Sequence, residues 1–354
     1  YYTVLNMGLG HAARSTPIIK KFVRQNWQVL IGSNGRALQF LRREFPGLDF
    51  VVTPDYGITY TQSNWLLLKL LLQTPAILQK IHAEHQFTAR VVKTFSPNII
   101  FGDHCYGAYH AHVPSFFISH QIYFAVPRRF QAFRSIPAQF NLLFHRKFNR
   151  ILIPDQQDNE TGLLSGSLSQ VKKYDVKYDY IGILSSLKKT AEAADIDILF
   201  SISGPEPQRT IFEKIILTQV EDIPGKKVVL LGKSEESKLV DSKEDCVIYT
   251  HLPRMEIQKL YNRAKLIVSR PGYSTLMELA ELGKKALFIP TPGQTEQLYL
   301  AGYVRKKGWF YSVRQKELRL TQTIAGAEKY PGLFLPEATQ KSVDTIWRDI
   351  VDAV

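Results

Sequence analysis

Cysteine is nearly absent from this chain: Cys105 and Cys246 are the two in 354 residues, and they sit far apart. That excludes a disulfide framework and the paired spacing of a structural zinc site, and it leads us to expect a reducing cytosol. A long hydrophobic run is missing too. The most apolar stretch, Trp65 to Leu72, is broken by Lys69 and followed by Gln73-Thr74-Pro75, short of the roughly 20 apolar residues that span a bilayer. No signal peptide is visible, and the chain opens without Met, directly in an apolar strand, as a trimmed start would. Acidic residues are in deficit: 32 Asp and Glu against 45 Lys and Arg, a net charge of +13. The excess favours anionic partners such as nucleotides, nucleic acid or an acidic membrane face. No nucleic-acid-binding signature accompanies it, so we expect no nucleic acid partner. What remains is ordinary for a globular protein, with 45% hydrophobic and 22% charged residues and length enough for two α/β domains.

The most informative stretch is residues 266–297. Leu266 to Ser269 reads as a buried strand, and Arg270-Pro271-Gly272-Tyr273-Ser274-Thr275 as a turn opening a helix to about Leu282. Gly283 stops the helix, Ala286 to Ile289 is the next strand, and Pro290 to Gln297 is a polar loop. Such a strand–turn–helix–strand unit builds a site at the carboxyl edge of a parallel sheet. Gly272 admits a ligand close to the backbone, and Ser274 and Thr275 set hydroxyls beside unpaired helix N–H groups, a place for phosphate. Glu278 lies a turn further in, within reach of a ribose diol, while Gln294, Glu296 and Gln297 suit sugar hydroxyls. A capped crossover helix with a polar loop would also read this way residue by residue. The combination within one βαβ unit favours a site.

The pattern S-R-P-G-Y-S-T-x-x-E-L-A…P-x-P-G-x-x-E-Q, residues 269–297, resembles the donor-binding half of family 28 glycosyltransferases. That family includes the peptidoglycan enzyme adding N-acetylglucosamine to a lipid-linked muramoyl peptide, and the plant galactolipid synthases. The resemblance implies a GT-B fold: two Rossmann-like parallel-sheet domains facing each other across a cleft, with a carboxyl-terminal helix crossing back to the first. It also implies a nucleotide-diphosphate sugar donor and inverting transfer.

In the first half, Tyr2 to Asn6 is a strand, and a helix is expected from Ser15 or Thr16 to Arg24 with Pro17 in its first turn. Between them lies Gly8-Leu9-Gly10-His11, short of a dinucleotide fingerprint because no third glycine follows at the right offset. The family carries a Gly-rich turn ending in Gly-His here, and Gly10 and His11 match it. Further strands at Asn98–Phe101 and Ser115–Ser119 deliver Asp103, His104 and His120 to the same sheet edge. Each alone reads as a hydrogen-bonded loop residue; four convergent polar groups read as a pocket. Gly10, Arg14, His104 and Tyr106 are the acceptor-binding candidates.

Residues 124–150 hold Arg128, Arg129, Arg134, Arg146, Lys147 and Arg150 without an acidic residue. Phe140, Phe144 and Phe148 fall on one helical face. Two readings compete: a core-facing aromatic stripe with a solvated basic back, or peripheral contact with an anionic membrane.

We expect domains at 1–184 and 195–336, a linker at 185–194, and a tail at 337–354 whose helix returns to the first domain. In the second domain Ile196 to Ser201 is the first strand. Its turn carries Ser203, Gly204 and Arg209, candidates for the donor's diphosphate, although Pro205 and Pro207 remove two N–H donors. The family holds the uracil edge through the loop here beginning His251-Leu252-Pro253. Asp195 and Asp197 precede a strand, so they read as a solvated strand entry, and no metal is expected.

The composite expectation is an inverting, metal-independent glycosyltransferase with a UDP-sugar, first an N-acetylhexosamine, as co-substrate and no cofactor. The acceptor would be a hydroxyl, lipid-linked or on a cell-envelope glycan, and the place cytoplasmic, on the inner membrane face. His11 is the expected base, with Asp103 and His120 as reserves. The alternatives are a nucleotide-sugar hydrolase or UDP-sugar 2-epimerase on the same fold, or a non-catalytic sugar-nucleotide-binding module.

Overall fold

The structure, a computed structural model, describes residues 1–57, 66–125, 135–171, 175–233 and 238–352. The chain divides into two units, Tyr1–Ser186 with Ala338–Val354, and Leu187–Glu337.

In the first unit the chain runs β1 (Tyr2–Val4), α1 (Gly10–Arg24), β2 (Leu30–Ser33), α2 (Gly35–Glu44), β3 (Asp49–Val52), α3 (Leu66–Phe95), β4 (Ile100–Asp103), β5 (Ser115–Ile118), α4 (Ser135–His145) and β6 (Arg150–Ile153). A small hairpin follows, β7 (Gln157–Asp158) and β8 (Thr161–Gly162), then β9 (Tyr178–Tyr180). The main sheet has the order β3-β2-β1-β4-β5-β6-β9, with all pairs parallel. Its central strands are apolar runs, Phe116-Phe117-Ile118 and Ile151-Leu152-Ile153, because helices cover both faces. Chain order reverses between β1 and β4, so the crevice at their carboxyl ends is the place where open α/β sheets bind ligands.

Two sequence expectations shift here. Helix α1 starts at Gly10, five residues earlier than Ser15, since Leu9 already has helical φ and ψ. Pro17 lies in its interior, and Thr16 Oγ1 bonds Ala12 O at 3.0 Å. His11 and Arg14 are therefore one helical turn apart, on the same face. Tyr180 to Leu184 also reads in the sequence as the last strand of this domain, but the strand is Tyr178–Tyr180.

The aromatic stripe is core. Phe148 is buried, and Phe140 and Phe144 pack against the same cluster, each edge-on to Tyr106. Arg128, Arg129 and Arg134 lie outside the described residues.

The second unit runs β10 (Ile196–Ser201), α5 (Gln208–Leu217), β11 (Lys227–Leu230), β12 (Leu239–Ser242), β13 (Cys246–Tyr249), α6 (Arg254–Arg263), β14 (Ala264–Ser269), α7 (Tyr273–Leu282), β15 (Lys285–Phe288), α8 (Thr295–Lys306), β16 (Tyr311–Ser312) and α9 (Leu320–Glu328). The sheet order is β12-β13-β11-β10-β14-β15-β16, parallel except for the β12–β13 edge pair. The reversal falls between β10 and β14, whose following turns carry Gly204 and Gly272. Gly283, in the left-handed region at φ +67°, ends α7. Asp195 pairs with Arg263 and Lys226, and Asp197 with Lys265.

Residues 185–194, expected as a linker, split between the units. Ser185 N bonds Thr339 Oγ1 in the first, while Lys188 and Thr190 N bond Gln258 and Asn262 of α6 in the second. The final helix, α10 (Ala338–Ile346), belongs to the first unit. There Trp347 meets Phe22 and Trp27 edge-on, and Lys21 pairs with Asp344 at 3.0 Å.

Candidate functional site

At the β1/β4 reversal Asp103, the last residue of β4, is fully buried and organises its neighbours. His11 Nδ1 stands 2.8 Å from Asp103 Oδ1, and Arg14 Nε donates to Oδ2 at 2.7 Å. Arg14 Nη2 also reaches Oδ1, and Ser15 Oγ donates to Oδ2 at 3.0 Å. The other guanidinium nitrogen of Arg14, Nη1, is 3.0 Å from His120 Nδ1. His104 completes the cluster, its ring edge-on to His11 at 4.9 Å and its Nε2 3.2 Å from Ser119 Oγ. Its backbone is left-handed at φ +57°, a strained conformation of the kind that gathers at sites. The residues expected at this edge, His11, Asp103, His104 and His120, do converge, and Arg14 joins three of them, His11, Asp103 and His120.

Burial alone would raise the Asp103 carboxyl, but the Arg14 guanidinium and His11 hold it well below the usual carboxylate range. It stays ionised at any working pH. His104 goes the other way: burial, with His11, Arg14 and His120 beside it, keeps it neutral, far below the ordinary imidazole value.

Tyr106 lies with its ring 6.2 Å from that of His104 but turns its hydroxyl away from this cluster. Its hydroxyl donates to Asn141 Oδ1 at 2.7 Å, and Asn141 Nδ2 donates to the Gln121 and Ile122 carbonyls, tying α4 to the loop carrying His120. Behind the β4 loop, Glu84 accepts from Tyr56 Oη at 2.5 Å and Gly107 N at 2.7 Å. No base pairs with it in these bonds, and burial raises its carboxyl to about 7 against the pull of these hydrogen bonds. In the unfolded chain the group ionises near 4.5. Between those values the unfolded form loses its proton first, so stability falls as pH rises, by roughly 3 kcal/mol for about 2.5 pH units. Glu84→Gln is expected to stabilise the protein by roughly 2–3 kcal/mol more at pH 8 than at pH 4. Urea titrations at both values read this; an equal effect at the two would rule it out.

In the second unit the turns after β10 and β14 differ in what they offer an anion. At the start of α5, Arg209 N bonds Pro205 O and Thr210 N faces Glu206 Oε2, so the prolines and Glu206 have taken up this end. Arg209 itself pairs with Glu206 and Glu213. Arg270 is buried under the turns: Nη1 donates to Ile289 O, Nη2 to Gln208 O and Gln315 Oε1, and its plane lies 4.1 Å from the Phe212 ring. Burial lowers its pKa to about 10, so it stays charged, with its donors spent on carbonyl and amide oxygens. Helix α7 by contrast has no side-chain cap and no acidic residue in its first turn, where Ser274 and Thr275 lie. Glu278 is paired with Arg254, the first residue of α6 and next to the His251-Leu252-Pro253 loop.

The 290–297 loop is held by Gln297, whose Oε1 accepts from Thr291 N at 2.8 Å. Gln297 thus shapes the loop. Thr291 Oγ1 and Gln294 Oε1 are buried without a hydrogen-bond partner among the described residues, and Gly204 lies against the Thr291 hydroxyl. Such orphans are what a hydroxyl-rich ligand would satisfy. Glu296 is half-buried in the first turn of α8. Sequence reasoning missed Ser15 and Thr291. A Ser beside a helical Arg, or a Thr between two prolines, carries no signal until the chain folds.

Residues 210–342 match the glycosyltransferase family 28 C-terminal domain, and residues 1–123 match a glycosyl transferase family 1 model. Among curated proteins the chain is similar to three copies of UDP-N-acetylglucosamine--N-acetylmuramyl-(pentapeptide) pyrophosphoryl-undecaprenol N-acetylglucosamine transferase. That of Sulfurihydrogenibium is 27% identical over 33% of this chain and 33% of its own length. That of Cupriavidus pinatubonensis is 35% identical over 24% and 28%. That of Buchnera aphidicola is 22% identical over 84% and 80%. The aligned part thus spans about a third of the first two relatives. Among solved structures, the Acinetobacter baumannii MurG crystal structure has a TM-score of 0.58 at 17% identity, covering 98% of both chains. The glycotransferase of kitacinnamycin has a TM-score of 0.63 at 13% identity, covering 99% of this chain and 94% of that one. These likenesses extend the GT-B architecture over the whole chain. Among the described residues, no helix is long and apolar enough to cross a membrane.

Proposed function

We propose that this chain, which matches the family 28 carboxyl-terminal domain over residues 210–342 and shares its fold with GT-B glycosyltransferases, transfers an N-acetylhexosamine from a UDP-sugar to a hydroxyl of a lipid-linked cell-envelope acceptor, inverting the anomeric centre and using no metal. The observation that carries the reading is His11, held by a buried carboxylate at the ligand-binding reversal of its sheet. The acceptor oxygen attacks the anomeric carbon from the face opposite the diphosphate. His11 takes the hydroxyl proton as the new bond forms, and the old C–O bond breaks with its electron pair leaving on UDP. The uncapped start of α7 with Ser274 and Thr275 receives the diphosphate charge; Arg209 and Arg270, committed elsewhere, are not asked to. Glu278 takes the ribose diol, the loop around His251 and Leu252 the base, and Thr291, Gln294 and Glu296 the sugar hydroxyls.

The curated relatives' own acceptor supplies the probe. Purified protein is incubated with radiolabelled UDP-N-acetylglucosamine and N-acetylmuramyl-pentapeptide-pyrophosphoryl-undecaprenol, with and without EDTA. Label should move to the lipid fraction with UDP released in equal amount, undiminished by EDTA. Free sugar or a 2-epimer formed without acceptor would replace this reading with the hydrolase or epimerase, and loss of transfer in EDTA would overturn metal independence.

A further inference from the structure

We propose that Arg14 is a positioning residue that fixes the tautomer of His120 and neutralises the Asp103 carboxylate that fixes the opposite tautomer of His11, leaving His11 with a bare Nε2 and His120 with its proton on Nε2. The inference rests on the reading of His11 as the base, and it decides among the three residues at this edge that have the chemistry for that role. A guanidinium has donors and no acceptor, so Nη1 at 3.0 Å from His120 Nδ1 requires that ring nitrogen to be bare. A neutral His120 then carries its proton on Nε2. Asp103 is an ionised carboxylate and has acceptors only. A ring nitrogen 2.8 Å from Oδ1 must therefore bring the proton, which places it on His11 Nδ1 and, in the neutral ring, the lone pair on Nε2. Arg14 Nη2 also lies 3.0 Å from His11 Nδ1, but with that nitrogen protonated its hydrogen goes to Asp103 Oδ1.

The consequences are specific. Asp103 has both oxygens engaged, Oδ1 by His11 and Arg14 and Oδ2 by Arg14 and Ser15, and it offers no lone pair for a substrate proton without giving up a charged partner. His120 can accept a proton at Nδ1 only by setting that N–H against the Arg14 N–H. Of His11, Asp103 and His120, His11 alone presents a basic atom. Arg14 also balances the Asp103 charge, so the cluster is electrically neutral before the reaction and gains one proton during it. Because one side chain touches all three groups, a single substitution should disturb the His120 tautomer and the turnover together.

The measurement is two-bond ¹H–¹⁵N correlation on the full chain labelled with ¹⁵N-histidine near pH 7.5, assigned by single His→Gln variants. Expected are His11 protonated at Nδ1 and His120 at Nε2. A proton on His11 Nε2, or on His120 Nδ1, overturns the assignment in the wild-type protein alone, whether or not any Arg14 variant folds. In Arg14→Ala, His120 should lose its single tautomer while His11, still on Asp103, keeps Nδ1–H. Turnover in the lipid-acceptor assay should fall about a hundredfold with donor KM unchanged, and free guanidinium should restore part of it. An unchanged His120 tautomer with no rescue would overturn the role. Were His11→Ala to transfer sugar at the wild-type rate, the base reading would fall while the tautomer assignment stood.

Discussion

His11→Ala is expected to lower the turnover of sugar transfer by roughly 10²–10⁴-fold, the range that a positioned general base contributes. The loss should sit in kcat, because the imidazole meets the acceptor proton only as the new bond forms. Donor KM should hardly move, since the UDP-binding groups assigned above lie in the other unit. Stability should change little. His11 is near the surface of its cluster at 8% exposed, and removing it leaves Asp103 still neutralised by Arg14. Steady-state kinetics with UDP-N-acetylglucosamine varied at saturating lipid acceptor separate the two parameters. A rise in donor KM with kcat intact would assign His11 to binding instead.

Asp103→Ala should be the most damaging single change to the fold in this region. Arg14 is 2% exposed, and its charge is compensated inside the first unit by Asp103. Removing one member of a buried pair strands the other, which costs about 3–5 kcal/mol, whereas replacing both by apolar groups of similar size is close to neutral. Asp103→Leu combined with Arg14→Met should therefore be more stable than Asp103→Ala, although inactive. The pH dependence follows from the depressed carboxyl. Its folded value lies below the unfolded one, so the stability it contributes is fully present above about pH 4 and disappears as pH falls through the folded value. The gap between wild type and Asp103→Ala, from denaturant titrations, should be wide at pH 7 and narrow towards pH 2. A gap constant with pH would mean that lost packing, not the ion pair, sets the cost.

Much of the architecture could be read before folding because parallel strands buried on both faces are continuous apolar runs, and each is followed by a turn of Gly, Pro or Ser. The strands β10, β14 and β15 and the helix α7 fall where those signals place them, within a residue or two. The early start of α1 was not legible, because Gly-His-Ala-Ala has no capping residue and Pro17 marks a first turn as readily as an interior position. Phe140, Phe144 and Phe148 carried equal signals for core and membrane; packing against Tyr106 and Phe117 settled it for these residues, although α4 ends at His145 and leaves Phe148 beyond the helix.

Sequence by itself determined a two-part α/β chain with polar groups gathered at strand ends, since hydrophobic period and turn chemistry are local properties of the chain; the glycosyltransferase reading came from the resemblance of residues 269–297 to family 28. Tertiary structure decided which of those groups keep their chemistry. Arg209 and Arg270 read identically as free cations until one met Glu206 and Glu213 and the other a set of carbonyls. Arg14, an acceptor-binding candidate in the sequence, became the hub of a buried cluster. The availability of a charge or a lone pair depends on what lies within about 3 Å of it, and the nearest neighbours of these side chains come from residues up to a hundred positions away.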